Sequence, residues 1–314
     1  MKVVFFGGIP KKSVKDLSLS DITGTAALYT YFLRNEFDKR GIETDYCEAR
    51  PGSSSDEILS KIQIPPGDHI LSVAQRGFTV RCKTSKILYE NARKAIKGKI
   101  TSICDHATAN PVEDIIFYAV PNKPLAKNVH IQWACDHSLL TPEQDPTKIR
   151  ILIDHAYYGN NNPKDITSKL SEECVKFQYY HSEKKVIIRR FSGPTGVEDV
   201  NNRNALTGQY DRSTSMPYPK ACEEYRKADI FIVTHPESLG LSVLESAAGG
   251  AFVVLPHGYI RSGMLSQIRH LDIPGNNISW DIVLNQLNIK RSVSTTKNFN
   301  WSNMTDKILK SLGE

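Results

Sequence analysis

The segment from Tyr225 to Pro256, YRKADIFIVTHPESLGLSVLESAAGGAFVVLP, admits few folds. Ala228 to Thr234 is a short run rich in β-branched and aromatic residues that stops at His235-Pro236, the pattern of a buried strand ending in a sharp turn. Leu241, Leu244, Ala247 and Ala248 then recur at helical spacing, which predicts a helix from near Leu239 to Gly249-Gly250. Ala251 to Leu255 returns as a second apolar strand. Elements joined this closely make a right-handed parallel βαβ unit, and open parallel sheets bind ligands at the carboxyl ends of their strands. Glu237 stands at such an end, and Glu245 lies two turns inside the helix. Between them, Gly240 and Leu241 bring the backbone to a helix N-terminus, whose unpaired N–H groups and positive dipole end attract phosphate.

The rest of the chain repeats the alternation of strand and helix. Val3 to Phe6 reads as a first strand ending at Gly7-Gly8, and Ser20 to Lys39 as a helix closed by Gly41. Next come a strand at His69 to Ala74, a helix at Thr84 to Ala95, a strand at Ile100 to Cys104 and a last strand at Val129 to Ala134. After a polar, proline-containing stretch, Ile149 to Ile153 opens a second series. It continues with a helix over Asp165 to Phe177, a strand at Val186 to Ile188 and a helix at Pro219 to Lys227, then the unit described above. The reading is α/β with two Rossmann-like domains, residues 1–146 and 147–314, the second ending in an amphipathic helix after Phe299-Asn300-Trp301.

Tyr225, Ala228, Asp229, Phe231, Glu237, Gly240, Glu245 and Gly250 together resemble the donor-site signature of retaining glycosyltransferases of the GT-B fold, family four and its relatives. The resemblance implies two Rossmann-like domains facing one another across a cleft, with the donor nucleotide sugar in the second. It implies that Glu237 contacts hydroxyls of the transferred sugar and that Glu245 hydrogen-bonds the nucleotide ribose. It also implies a histidine at the end of an N-domain strand, facing the donor sugar. His106 matches, beside Asp105, although a histidine there also serves as a packed or capping group. In related enzymes the loop after the first strand of the second domain carries an Arg and a Lys that neutralise the donor diphosphate. Lys164 matches the lysine, or is a surface cation, and no arginine stands in the stretch from His155 to Asn162. Arg189 or Arg190 is a candidate replacement; the alternative for both is a surface charge. Gly7 and Gly8 either let the backbone approach a ligand or simply make a tight turn.

Composition narrows the partners. With 314 residues and 40% apolar content the chain suits two soluble domains, and it has no run near the roughly 20 apolar residues of a membrane span. A cytoplasmic location is expected. The six cysteines are widely spaced without a C-x-x-C pair, so neither a zinc site nor a disulfide framework is expected. No Asp-x-Asp occurs, and the expected donor chemistry needs no metal and no cofactor beyond the nucleotide-diphosphate sugar itself, a UDP- or GDP-sugar. A net charge of +6 raises the possibility of a DNA acceptor, as in viral enzymes that glycosylate DNA bases. Residues 1–146 nevertheless hold 19 Lys and Arg against 17 Asp and Glu, and the larger surplus, 21 against 17, lies in the expected donor half. A saccharide or small-molecule hydroxyl acceptor is therefore preferred. The open alternatives are the DNA-base glycosyltransferase, a GT-B-like epimerase and a non-catalytic nucleotide-sugar binding module.

Overall fold

The computed structural model describes residues 1–7, 17–22, 25–48, 62–73, 82–106, 111–120, 126–154, 167–180, 183–191, 197–199, 216–234, 240–256, 267–273, 277–287 and 296–313. In chain order the elements begin with β1 (Lys2–Gly7), α1 (Thr25–Lys39), β2 (Glu43–Glu48), β3 (His69–Ser72), α2 (Cys82–Ala95), β4 (Ile100–His106), β5 (Ile115–Val120) and β6 (Asn128–His130). There follow β7 (Lys148–Ile153), α3 (Thr167–Tyr180), β8 (Lys185–Phe191), β9 (Val197–Asp199), α4 (Tyr218–Lys227), β10 (Ile230–Ile232), α5 (Leu241–Ala248), β11 (Phe252–Pro256), β12 (His270–Ile273), α6 (Trp280–Leu287) and α7 (Trp301–Leu312).

Contacts divide the chain into two compact units, residues 1–133 with 301–314, and residues 134–300. The sequence placed the division near 146 and α7 in the second half. Residues 134–146 hold to the second unit through main-chain bonds, Cys135 N–H to the Phe299 carbonyl (3.1 Å) and Glu143 N–H to the Arg226 carbonyl (2.8 Å). Helix α7 belongs with the first unit because Trp301, Met304, Thr305, Ile308, Leu309 and Leu312 form one buried stripe at helical spacing. Trp301 stacks on Phe32 of α1 at 4.9 Å between ring centroids, and Arg40 binds Asp306 at 2.7 Å.

In the first unit the strands run β2-β1-β3-β4-β5-β6, all parallel. Strands covered on both faces read as continuous apolar runs, and Val3 to Phe6, Ile70 and Leu71, and Ile116 to Ala119 are all buried. Leu88, Ala92 and Ile96 recur every fourth residue and close one face over Val4, Phe6, Ile70 and Ile100.

The second unit repeats the plan in the order β12-β11-β10-β7-β8-β9, parallel except for the antiparallel edge strand β9. Ile149, Ile151 and Ile153 of β7 alternate onto the face covered by Leu170, Cys174 and Phe177 of α3, with Trp280 of α6 stacked on Phe177 at 4.2 Å. In both units the second strand pairs on one side of the first and the third parallel strand on the other. Each sheet therefore has a topological switch point, at β1/β3 and at β7/β10, where the crevice outside the carboxyl ends is the expected ligand position.

Much of the signature segment serves packing. Asp229 accepts the Arg150 N–H on its carboxylate (2.6 Å) while its own N–H donates to the Arg150 carbonyl (2.8 Å), which locks β10 onto β7 in register. Tyr225 lies edge-on to Phe231 at 5.7 Å. Gly249 is required by close approach, since a Cβ built there would stand 2.7 Å from the Tyr225 carbonyl oxygen. Gly249→Ala should therefore push α4 from α5 and destabilise the protein by about 1–3 kcal/mol in urea denaturation. An unchanged midpoint would show that the helices yield freely.

Candidate functional site

The switch point of the second unit gathers the polar groups that this part of the core would otherwise exclude. β7 is followed by Asp154, whose N–H donates to the Ile232 carbonyl of β10 (2.8 Å) and whose carbonyl accepts the Thr234 hydroxyl (3.4 Å). The chain enters α5 at Gly240, which has φ +63 and ψ 33, a left-handed conformation suited to glycine. The Gly240 carbonyl accepts the first helical bond, from Leu244 N–H at 2.8 Å, so Leu241 is the first helical residue. The start near Leu239 expected from the sequence moves two residues on, because left-handed backbone cannot continue a right-handed helix. Gly240 has no side-chain oxygen to cap the first turn, whose N–H groups point outward along the axis.

Glu245 is the buried acid of this site, at 4% exposure, on a helix whose residues from Val243 to Ala248 are all buried. Its Oε1 makes no hydrogen bond within the described residues. Burial pushes its carboxyl up to about 8; interaction with the Tyr218 hydroxyl opposes the shift, and the Asp154 charge adds to it. Around it the thiols of Cys135 and Cys222 are also driven up, first by burial and then by the Glu245 charge. Thiols so protonated are poor nucleophiles. The described groups that interact with Glu245 are thus Asp154, Tyr218 and Cys222 from α4, and Cys135, none of them cationic. Among the described residues no group of three or more His, Cys, Asp or Glu side chains is arranged to hold a metal ion.

The other expected site residues fall in several places. Gly7 ends β1 at the first unit's switch point, and its carbonyl accepts the Tyr46 hydroxyl. Arg189 lies on β8 with its guanidinium paired to Glu224 of α4 at 2.7 Å, so its charge already has a partner. His106 closes β4 opposite Val120 and Arg190 pairs with Glu198 across β8 and β9, but the side chains of His106 and Arg190 lie outside the described residues. Gly8, Lys164 and Glu237 lie wholly outside them. Asp154 and Ser242 were not expected from the sequence. Ser242 Oγ lies 3.3 Å from Asp154 Oδ2, a contact between residues 88 apart in the chain that no local pattern announces.

No protein-family model matches the chain. No curated protein matches it. Solved structures resemble it over almost its whole length. A sucrose-phosphate synthase from Thermosynechococcus elongatus gives a TM-score of 0.56 at 11% identity, over 99% of this chain and 98% of that one. A UDP-GlcNAc 2-epimerase from Neisseria meningitidis, bound to UDP-GlcNAc, gives 0.56 at 11% over 99% of both chains. AviGT4, a glycosyltransferase of avilamycin A biosynthesis, gives 0.55 at 11% over 99% and 96%. Likeness at such identities shows the fold, which is the GT-B fold with its two Rossmann-like α/β domains. No helix among the described residues is long and apolar enough to cross a membrane.

The raised Glu245 carboxyl sets a pH dependence. An unfolded glutamate loses its proton near 4.5, whereas the folded one keeps it to about 8, so between those values the native state binds more protons. Stability from this group is fullest below pH 4.5, falls by up to about 1.4 kcal/mol per pH unit across that window, and is level above it. Glu245→Gln should flatten the slope in urea titrations at pH 5, 6.5 and 8. An identical slope in both proteins would refute the assignment.

Proposed function

We propose that the chain is a retaining glycosyltransferase, similar to family four, that moves a sugar from a nucleotide-diphosphate donor to a hydroxyl acceptor. The observation that carries the reading is Glu245, a buried acid whose Oε1 has no hydrogen-bond partner among the described residues, on a helix entered through Gly240, which offers no side-chain cap, at the switch point. A ribose hydroxyl is the kind of donor that would complete it, and Glu237, eight residues earlier, falls where the signature puts the acid for the transferred sugar. Departure of the nucleotide leaves negative charge on its terminal phosphate, and the N–H groups at Leu241 and the next residues would meet that charge. Lys164, between β7 and α3 in the chain, is the cation we assign to the same phosphate, and no metal is invoked. The modest charge surplus in residues 1–146 supports a saccharide acceptor over DNA.

A second reading, a nucleotide-sugar epimerase, is favoured by the epimerase among the structural neighbours. Incubation with UDP-, GDP- and ADP-sugars, alone and with saccharide acceptors, followed by NMR of the products, separates the two. Transfer to acceptor is the expected result. Donor conversion without acceptor supports the epimerase, and binding without turnover would refute both. Glu245→Ala should weaken nucleotide binding by about two- to tenfold, as loss of a hydrogen bond to a neutral group does at about 0.5–1.5 kcal/mol. Glu237→Ala should mainly slow transfer. Unchanged affinity and turnover in both variants would sink the proposal.

A further inference from the structure

The first unit has a switch point of its own, between β1 and β3, and a buried hydroxyl stands at it. Ser72 is the last residue of β3, it is 0% exposed, and its Oγ has no hydrogen-bond partner among the described residues. A buried hydroxyl in that condition calls for a partner.

The strand fixes where this hydroxyl looks. Side chains two apart share a face, so Ser72 lies on the side of Ile70, and its register partner Phe6 joins Ile70 in the cluster covered by Leu88, Ala92 and Ile96 of α2. The C-terminal end of α2 is tied to the start of β3, because the Gly67 N–H donates to the Ala95 carbonyl (3.3 Å) and the Lys97 N–H to the Gly67 carbonyl (3.1 Å). From that edge the 14 residues of α2 reach about 20 Å back over the sheet, which brings the first turn to the carboxyl end of β3. Ser72 therefore lies beneath the N-terminal part of α2, whose first-turn N–H groups and positive dipole end attract an anion.

Charge supports the same ligand. The chain leaving β1, residues 8–24, and the chain leading from β3 into α2, residues 73–81, together hold five Lys and Arg against two Asp, and one of these, Asp21, is bound by Ser18. The 19 cations and 17 acids of residues 1–146, less these five and two, leave 14 and 15. The surplus of that half thus belongs to the two connections at its switch point. Glu113, a buried acid near β4, is already engaged by the Ser102 hydroxyl at 2.9 Å.

Resting on the glycosyltransferase reading above, we propose that Ser72 and the first turn of α2 bind a phosphate group carried by the acceptor, so that the acceptor is a phosphorylated saccharide. The hydroxyl donates to a phosphate oxygen, and the helix N–H groups meet the charge.

Calorimetric titration of wild type and Ser72→Ala with glucose 6-phosphate, glucose and inorganic phosphate tests this, with UDP and GDP titrated separately. Wild type should bind glucose 6-phosphate about tenfold or more tighter than glucose, and inorganic phosphate should compete with it. Ser72→Ala should lose roughly tenfold or more of that affinity, the scale of one hydrogen bond to a charged group. Its urea midpoint should not fall, since the hydroxyl gives up no described partner. Equal affinity for glucose and its phosphate, no binding of either phosphate compound, or a preference that survives in Ser72→Ala overturns the phosphate site, while bound UDP or GDP leaves the donor-site reading standing. Phosphate binding that depends on Ser72 in a protein that binds no nucleotide overturns the glycosyltransferase reading, and with it the acceptor role, but not the site.

Discussion

The pairing of β7 with β10 is the contact on which the chemistry of the second unit depends, because it decides where α5 begins. Asp229, just before β10, is held to Arg150 of β7 by two hydrogen bonds, and Asp154, just after β7, is held by its N–H to the Ile232 carbonyl at the end of β10. With both ends pinned, β10 cannot slip by one residue, a slip that would turn every side chain to the opposite face. The chain therefore leaves the sheet beside Asp154 and enters α5 at a fixed place. Gly240 then makes the entry with left-handed backbone, and the first-turn N–H groups face the crevice outside the carboxyl ends.

Glu245 shows what this arrangement asks of the core. A carboxyl at 4% exposure whose oxygen has no partner among the described residues is a local loss of stability, since a buried polar group without a hydrogen bond is left with its desolvation penalty. The Tyr218 hydroxyl favours its ionised form, but burial outweighs that and the Asp154 charge adds to burial, while the thiols of Cys135 and Cys222 are themselves held neutral. The apolar residues of α5 and the sheet beneath it offset that loss. Such a group is kept where a bound molecule supplies the missing partner, and violations of local rules of this kind collect at functional sites.

Features encoded locally could be read from the sequence. The βαβ unit from Tyr225 to Pro256, the apolar strands β1, β4, β7 and β11 and the amphipathic stripe of α7 are strong periodic signals, and they yielded the α/β class with two Rossmann-like domains. Strand β2, ETDYCE, escaped because its alternating polar residues belong to a sheet edge, and β12, HLDI, because it is four residues long, whereas β5, IIFYAV, was passed over although it is a continuous apolar run. The place of α7 was not legible, since its anchors on Phe32 and Arg40 lie more than 260 residues away. Asp154 escaped for the same reason, since its contact with Ser242 joins residues 88 apart in the chain.

The first unit is assembled from two stretches of chain separated by the whole of the second. Emerging from a ribosome, residues 134–300 form a continuous segment that can complete its own sheet as soon as it is free. The first unit must wait, with the faces of Tyr29, Phe32 and Trp133 uncovered until Trp301 arrives to pack against Tyr29 and Phe32. The last ring of the first unit's core is therefore made only after the whole of the second unit has been synthesised.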